Sequence, residues 1–337
     1  MRIAVYGTGA IGATVGGWLA ESGGDVTFVA RAATAATLAR EGLTLYPAGG
    51  KANAAARRVR AVADAAAVTD ADVVVLAVKN FDLEAAAADL RQKLTGEPVI
   101  VGLQNGLDNQ AILPRHFRKV VYGVVCYNAW RDGANVFGYQ SRGPVLLGVT
   151  DDALVPARDA IVREFSSAFT CRPEAAIVDA VKCKMLLNLA NSVTTLVGLG
   201  VRPIEDVAAL KRCTAHVIYE GMHLLRRAGV REVPLAQAPP WRVVTAMVRL
   251  PGFVTTPLFR RTLRKVHMSS MAQDVYLAHR ATTELESLNG YFVRLADTLG
   301  DAAPYNRALY RLTRDWLARP APAPIHEAEL WAQLRAG

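Results

Sequence analysis

Cysteine is scarce: Cys126, Cys171, Cys183 and Cys213 are four in 337 residues, with no C-x-x-C pair and no histidine-rich companion motif. This excludes the usual zinc and dithiol signatures, so reduced, buried thiols in a cytoplasmic protein without a metal are expected. Aromatic residues are only 7% of the chain. None interleave with a basic tract, so the stacking platforms of nucleic-acid binders are missing. No apolar window of about 18 residues runs free of charges and helix breakers, which excludes a spanning helix and leaves no membrane role. The N-terminus also lacks the charged-then-apolar pattern of a secretory signal. Acidic residues are in deficit, 30 against 39 Lys and Arg, for a formal charge of +9. Because the arginines are scattered, small anionic ligands are simpler partners than a polynucleotide.

What the chain does have is apolar bulk. Hydrophobic residues make up 52% and charged residues 20%, spread along its length, as in a globular protein. A chain of 337 residues has room for two domains, each with its own core.

The organising stretch is the N-terminal Met-Arg-Ile-Ala-Val-Tyr-Gly-Thr-Gly-Ala-Ile-Gly. Residues 3–6 read as a buried strand. Gly7, Gly9 and Gly12 follow in G-x-G-x-x-G spacing, and Val15, Trp18 and Leu19 continue as a helix. Strand, glycine turn and helix in this order form a dinucleotide fingerprint. Gly7 permits the tight turn, Gly9 lets the backbone approach a pyrophosphate, and Gly12 brings the helix against the sheet. With Thr8, Ala10 and Ile11 they make up the cofactor-binding turn, whose free N–H groups and positive helix end face phosphate. A second strand, residues 25–30, ends at Arg31, while Asp25 lies at its far end. A carboxylate at that end would hold the ribose 2′-OH of NAD, whereas an arginine accommodates the 2′-phosphate of NADP. The expected cofactor is NADPH.

Residues 32–41 read as helix, 43–46 as strand, and the alanine-rich 61–67 as a helix former. Residues 72–78, Asp-Val-Val-Val-Leu-Ala-Val, are the clearest buried parallel strand. They deliver Lys79 to the end of the sheet where ligands sit, either as a second cation for the 2′-phosphate or as a surface lysine. After a helix at 83–94, a strand at 99–103 ends in Gln104-Asn105-Gly106. Asn105 has donors and an acceptor for a nicotinamide ribose or a substrate hydroxyl, and Asn-Gly is equally a common turn. A strand at 120–125, an antiparallel hairpin within 128–149 extending the sheet edge, and a helix at 153–169 complete the domain, residues 1–172.

Beyond residue 174 strand signals nearly vanish. Helical periods at 175–197, 205–228, 241–250, 267–279, 284–299 and 303–318 predict an all-helical domain, residues 173–319, and Pro320, Pro322 and Pro324 open an extended tail, 320–337. On the first of these helices Lys184, Asn188 and Asn191 or Ser192 recur at three- and four-residue spacing as a polar stripe in an apolar helix. Buried polar groups need partners, and a lysine, whose pKa shifts readily, can act as a proton donor. The alternative is a solvated face. A second cluster begins at His267: Ser269 and Ser270 stand where a helix would start, and Glu284 and Glu286 open the next one. His267 and His279 have no partner at metal-ligand spacing, so no metal is assigned.

The glycine turn with Arg31, the strand ending in Lys79, Gln-Asn105-Gly, Lys184-x-x-x-Asn188 and the Ser-Ser-Met-x-Gln-Asp…Thr-Glu…Asn-Gly block together resemble the ketopantoate reductase (2-dehydropantoate 2-reductase) family. The resemblance implies an α/β architecture: an N-terminal Rossmann-type dinucleotide-binding domain, then an all-helical C-terminal domain like that of 6-phosphogluconate dehydrogenase, closing over a cleft. It implies NADPH, with Arg31 and Lys79 near the 2′-phosphate. It further implies Lys184 as general acid, Glu284 holding the hydroxyl side of the substrate, and Asn105, Asn188 and Ser270 as substrate-binding residues. Asn191 and Ser192 stand where the family usually carries a second substrate-binding asparagine. The implied reaction reduces a small acidic 2-oxo acid, ketopantoate by default, and the apolar second-domain helices suit a homodimer.

Three departures from the family pattern accompany it. Ser192 occupies the position eight after the lysine, the interval from Asp274 to Glu284 is stretched by two residues with Ala278-His279-Arg280 replacing a Gly-Arg, and residues 230–266, with Pro239-Pro240-Trp241 and the basic group Arg260, Arg261, Arg264 and Lys265, match no recognised motif of the family. That segment is expected to form part of a cap and to suit a different or larger acidic substrate. A same-fold reductase of another 2-oxo acid therefore stands beside the leading reading; a non-catalytic NADPH sensor is the alternative from a different class, and the joint presence of Lys184 and Glu284 argues against it.

Overall fold

The computed structural model describes residues 1–236, 238–263, 268–279 and 283–336. The chain divides into two compact units, Met1–Val181 and Lys182–Gly337. Arg264, Lys265, His267 and Arg280, all singled out above, lie outside the described residues.

The first unit carries its strands in the order β1 (Arg2–Tyr6), β2 (Asp25–Val29), β3 (Leu43–Pro47), β4 (Ala56–Arg57), β5 (Arg60–Val62) and β6 (Val73–Leu76). Then come β7 (Val99–Gly102), β8 (Val120–Val125), β9 (Ala129–Arg131), β10 (Val136–Tyr139), β11 (Val145–Gly148) and β12 (Cys171–Pro173). Helices α1 (Ala10–Glu21), α2 (Ala32–Glu41), α3 (Asn80–Lys93), α4 (Asp108–His116) and α5 (Val155–Ser166) lie between them.

An eight-stranded sheet of order β12-β11-β8-β7-β6-β1-β2-β5 runs through the unit. From β5 to β8 neighbouring strands are parallel, with Val5 opposite both Phe28 and Val75. Their near-continuous apolar composition matches strands covered on both faces. Beyond β8, β11 runs antiparallel and β12 parallels β11. From β1 the chain moves out to β2 and β5, then returns on the other side of β1 at β6. That reversal makes the carboxyl ends of β1 and β6 the switch point of the sheet, where open α/β folds bind ligands. Behind it Trp18 of α1 is fully buried, its ring 5.1, 5.0 and 5.5 Å from those of Tyr127, Tyr139 and Phe169.

Two local expectations are corrected here. The hairpin within 128–149 does not extend the main sheet as a unit. Its arms β9 and β10 pair antiparallel but join β3 and β4 in a separate four-stranded sheet of order β4-β3-β10-β9, and only β11 reaches the main sheet. Gly17 explains why: a side chain there would run into Leu43 and Leu45, so its absence lets the small sheet settle on α1. Nor is 61–67 a helix. Residues 60–62 pair with β2 as edge strand β5, and Asp64 then caps a short 3-10 turn, Ala65–Val68, by accepting from Ala66 N at 3.0 Å. Strand pairing at an open edge overrides alanine's helical preference.

The second unit is helical: α6 (Ile177–Leu196, from Lys182 on), α7 (Val207–Arg227), α8 (Trp241–Arg249), α9 (Gly252–Leu263) and α10 (Ser270–Ala272), which continues as a π turn, Gln273–Leu277. After these come α11 (Leu285–Leu299), α12 (Pro304–Leu317) and α13 (Glu327–Ala336). Helix α7 is the hub, packing against α8, α9, α11, α12 and α13. At Gly221 it approaches α6, where a methyl would lie 2.7 Å from Leu189 and 2.9 Å from Leu186. Asp206 caps α7 through Ala209 N at 2.8 Å. Glu220 of α7 serves α12, accepting from Tyr305 N, Asn306 N and Asn306 Nδ2.

Helix α9 and the terminal helix α13 were not legible. Phe253 of α9 is 82% exposed and Pro251 and Pro257 punctuate the stretch, so no buried stripe announces the helix. The tail expected to be extended folds back instead: Ile325 N donates to Leu196 O at 2.8 Å, and α13 packs on α7 and α12. No helix among the described residues is long and apolar enough to cross a membrane. All four cysteines are buried and unbridged, and burial pushes the Cys171 and Cys213 thiols up to about 12.

Candidate active site

In the first unit the candidate residues collect at the carboxyl ends of adjacent parallel strands. β1 gives way to Gly7, whose φ of +100° suits glycine and whose N–H donates to Val29 O at 3.1 Å. Thr8 leads to Gly9, which takes the N-cap position of α1 with no side-chain cap. No acidic residue lies in the first turn of α1. The N–H groups beginning at Ala10 and Ile11 therefore form an electropositive end suited to an anion. The glycines differ in what surrounds them. A Cβ at Gly9 would meet nothing within 4 Å, whereas one at Gly12 would collide with the Gly7 carbonyl and press on Ala77. Open space before Gly9 and a closed turn behind it fit a pyrophosphate passing over the backbone.

Arg31 follows β2, exposed, at the N-cap of α2. Lys79 follows β6, half-buried, at the N-cap of α3. The two cations thus flank the glycine turn from the strands on either side of β1. Asn105 lies beyond β7 in a turn completed by Gly106 at φ +94°. Two residues that sequence reasoning passed over hold that turn. Asn80 Nδ2 donates to Asn105 O, and buried Gln104 donates through Nε2 to Leu76 O at 2.7 Å and Val78 O at 3.3 Å. Each bond ties the end of β7 to the end of β6. The signal for Gln104 was its place in Gln-Asn-Gly, while Asn80 offered only its position after Lys79.

In the second unit the polar stripe of α6 exists as a graded series. Lys184 and Asn191 are partly exposed, Asn188 is 7% exposed and Ser192 is 0% exposed. The hydroxyl of Ser192 is committed to Asn289 Oδ1 of α11 at 2.8 Å. It links the two helices from a fully buried position. Ser269 caps α10 through Ala272 N at 3.2 Å, leaving the partly exposed Ser270 as the first residue of that helix. Glu284, 7% exposed, holds the N-cap position of α11 without a side-chain cap bond. The unit thus brings the helix of Lys184 and Asn188 against the elements that begin with Ser270 and Glu284, through Ser192 to Asn289 and Thr195 to Ser269. Asn289 is the residue missed here, its only signal being the Asn-Gly pair after Glu284. No cluster of His, Cys, Asp and Glu suited to a metal occurs among the described residues.

Comparisons with known proteins cover both units. Residues 3–152 match the family model for ketopantoate reductase PanE/ApbA, and residues 177–316 match the model for its C-terminal part. A 2-dehydropantoate 2-reductase of Halobacterium salinarum is 32% identical over 327 residues, covering 93% of this chain and 98% of the relative. The crystal structure of a PanE/ApbA family ketopantoate reductase from Ralstonia eutropha superposes with a TM-score of 0.74 at 25% identity, over 95% of this chain and 100% of that one. A D-mandelate dehydrogenase solved with NADH and anilino(oxo)acetate shares the fold, with a TM-score of 0.75 at 20% identity over 94% and 99% of the two chains. With an open glycine turn at the sheet's switch point, a lysine stripe on the first helix of the second unit, and family models matching both, the chain belongs to the ketopantoate reductase family.

Proposed function

We propose that this protein reduces a 2-oxo acid to its 2-hydroxy acid with NADPH, 2-dehydropantoate being the first substrate to test. The observation that carries the reading is the α6 stripe, which presents a partly exposed lysine one turn from an almost buried asparagine. Its family setting and the naming of the Halobacterium relative support it. The bound nicotinamide would supply hydride, while the protein handles charge and proton. As the carbonyl carbon gains hydride, the π pair of the C=O bond passes to oxygen; Lys184 Nζ is proposed to stabilise that charge and return a proton to it. Glu284 would orient the hydroxyl being formed, and Asn105, Asn188, Asn191 and Ser270 would hold the substrate. On the cofactor side, the α1 turn would take the pyrophosphate, with Arg31 and Lys79 the 2′-phosphate.

The test is NADPH oxidation against a panel of 2-oxo acids, bulky members included. Lys184→Ala should lower kcat by about a hundredfold or more while leaving NADPH affinity intact. Undiminished turnover would remove Lys184 from the chemistry. NADPH binding without reduction of any panel member would favour the sensor reading.

A further inference from the structure

Three elements of the second unit meet at one buried hydroxyl. Ser192 Oγ of α6 donates to Asn289 Oδ1 of α11 at 2.8 Å and lies 3.6 Å from Met271 Sδ of α10. All three residues are at most 3% exposed. One turn along α6, Thr195 Oγ1 lies 3.4 Å from Ser269 Oγ, and Tyr276 OH donates to Thr195 O at 2.9 Å. These elements also carry the proposed chemistry: Lys184 and Asn188 precede Ser192 on α6, Ser270 precedes Met271, and Glu284 begins the helix that holds Asn289. Asn289 Nδ2 has no hydrogen-bond partner among the described residues, so the Ser192 hydroxyl is what orients this buried amide.

We infer that Ser192 and Asn289 are positioning residues, a pair that sets the Ser270 and Glu284 elements against the Lys184 helix. The inference rests on the proposed reduction and assigns this pair a role without contact to substrate. A serine suits it: a short side chain lets two helices approach, and its single donor specifies one register. An asparagine at position 192 would bring extra volume into a fully buried site.

Ser192→Ala, Asn289→Leu and the double variant test it in the full-length protein, with melting curves to establish folding. In the folded Ser192→Ala variant, kcat for the best 2-oxo acid should fall by about tenfold with NADPH affinity unchanged. The double variant should be no worse than the poorer single one, because both substitutions break one bond. Amides at 269–277 and 285–289 should exchange with solvent at least about fivefold faster, while those of α13 keep their rates. Unchanged exchange, fully additive losses, or faster exchange with wild-type kcat would each overturn the inference; the last would leave Ser192 a packing role only. If the wild-type protein reduces no 2-oxo acid, the proposed function falls, and exchange then decides the pair by itself: faster at both segments upholds it, and unchanged rates overturn it.

Discussion

Arg202 reaches Glu327 at 2.9 Å, and the carboxylate it meets is wholly buried while the guanidinium remains partly in solvent. Arg202 Nη2 also donates to Ile325 O at 3.0 Å, and Asp206 N donates to Glu327 at 3.3 Å. The turn after α6 is thereby clasped to the start of α13. Arg202→Ala should leave the buried Glu327 carboxylate, among the described residues, with only Asp206 N and, at 3.6 Å, His326 Nε2 beside it, and destabilise the protein by about 3 kcal/mol, read as a lowered Tm. Adding Glu327→Gln should recover part of that loss, since the charge needing a partner is gone.

The glycine turn predicts opposite failures from like substitutions. Gly12→Ala should fold poorly, because its methyl meets the Gly7 carbonyl. Gly9→Ala should melt like the wild-type protein, because nothing lies within 4 Å of the added methyl. Its NADPH affinity should nonetheless drop by about tenfold or more, since that space is where the pyrophosphate would pass. Calorimetric titration with NADPH, beside a melting curve, separates the two.

Arg31 should decide between the two dinucleotides. It is exposed at the end of β2, on the flank of the glycine turn. Arg31→Asp should weaken NADPH by about tenfold to a hundredfold and leave NADH unchanged or improved, as like charge meets the 2′-phosphate. Steady-state KM values for both cofactors check this, and an equal loss for both would place the phosphate elsewhere.

His216 should make stability fall on mild acidification. Its ring packs 5.2 Å from that of Tyr305 and 4.9 Å from that of Trp331, with Nδ1 2.9 Å from Arg212 O. Burial, aided by the charges of Lys211 and Arg212, holds its pKa below the ordinary histidine value. Between that lowered value and about 6.5 the unfolded chain binds more protons than the folded one, so stability is full above 6.5 and declines as pH falls through this window. Urea unfolding at pH 7.5 and pH 5.5 should show a smaller loss in His216→Gln than in the wild-type protein. An identical loss would assign the acid sensitivity to other groups.

The sequence by itself determined the strand, glycine turn and helix at the start of the chain and the class of each unit. Glycines at 7, 9 and 12 after an apolar strand leave little choice of conformation, and unbroken valine runs such as 73–75 have to be covered on both faces. The placement of Lys184 and Asn188 along one helix was legible for a related reason: polar groups at helical spacing in an apolar helix stand out against their own neighbours.

Tertiary structure decided what depends on partners distant in the chain. Nothing local separates an alanine stretch that will be a helix from one that completes a sheet edge, so 61–67 was settled by the open side of β2. Whether 128–149 would widen the main sheet was settled by Gly17, more than a hundred positions away, which lets a second sheet lie on α1. Helix α13 depends on Arg202 for its buried carboxylate. Ser192 and Asn289 are 97 residues apart, and each is an ordinary polar residue until the fold makes one the other's acceptor. A local pattern reports the conformation a segment can take, whereas the partner that satisfies a buried polar group is chosen only when the helices pack.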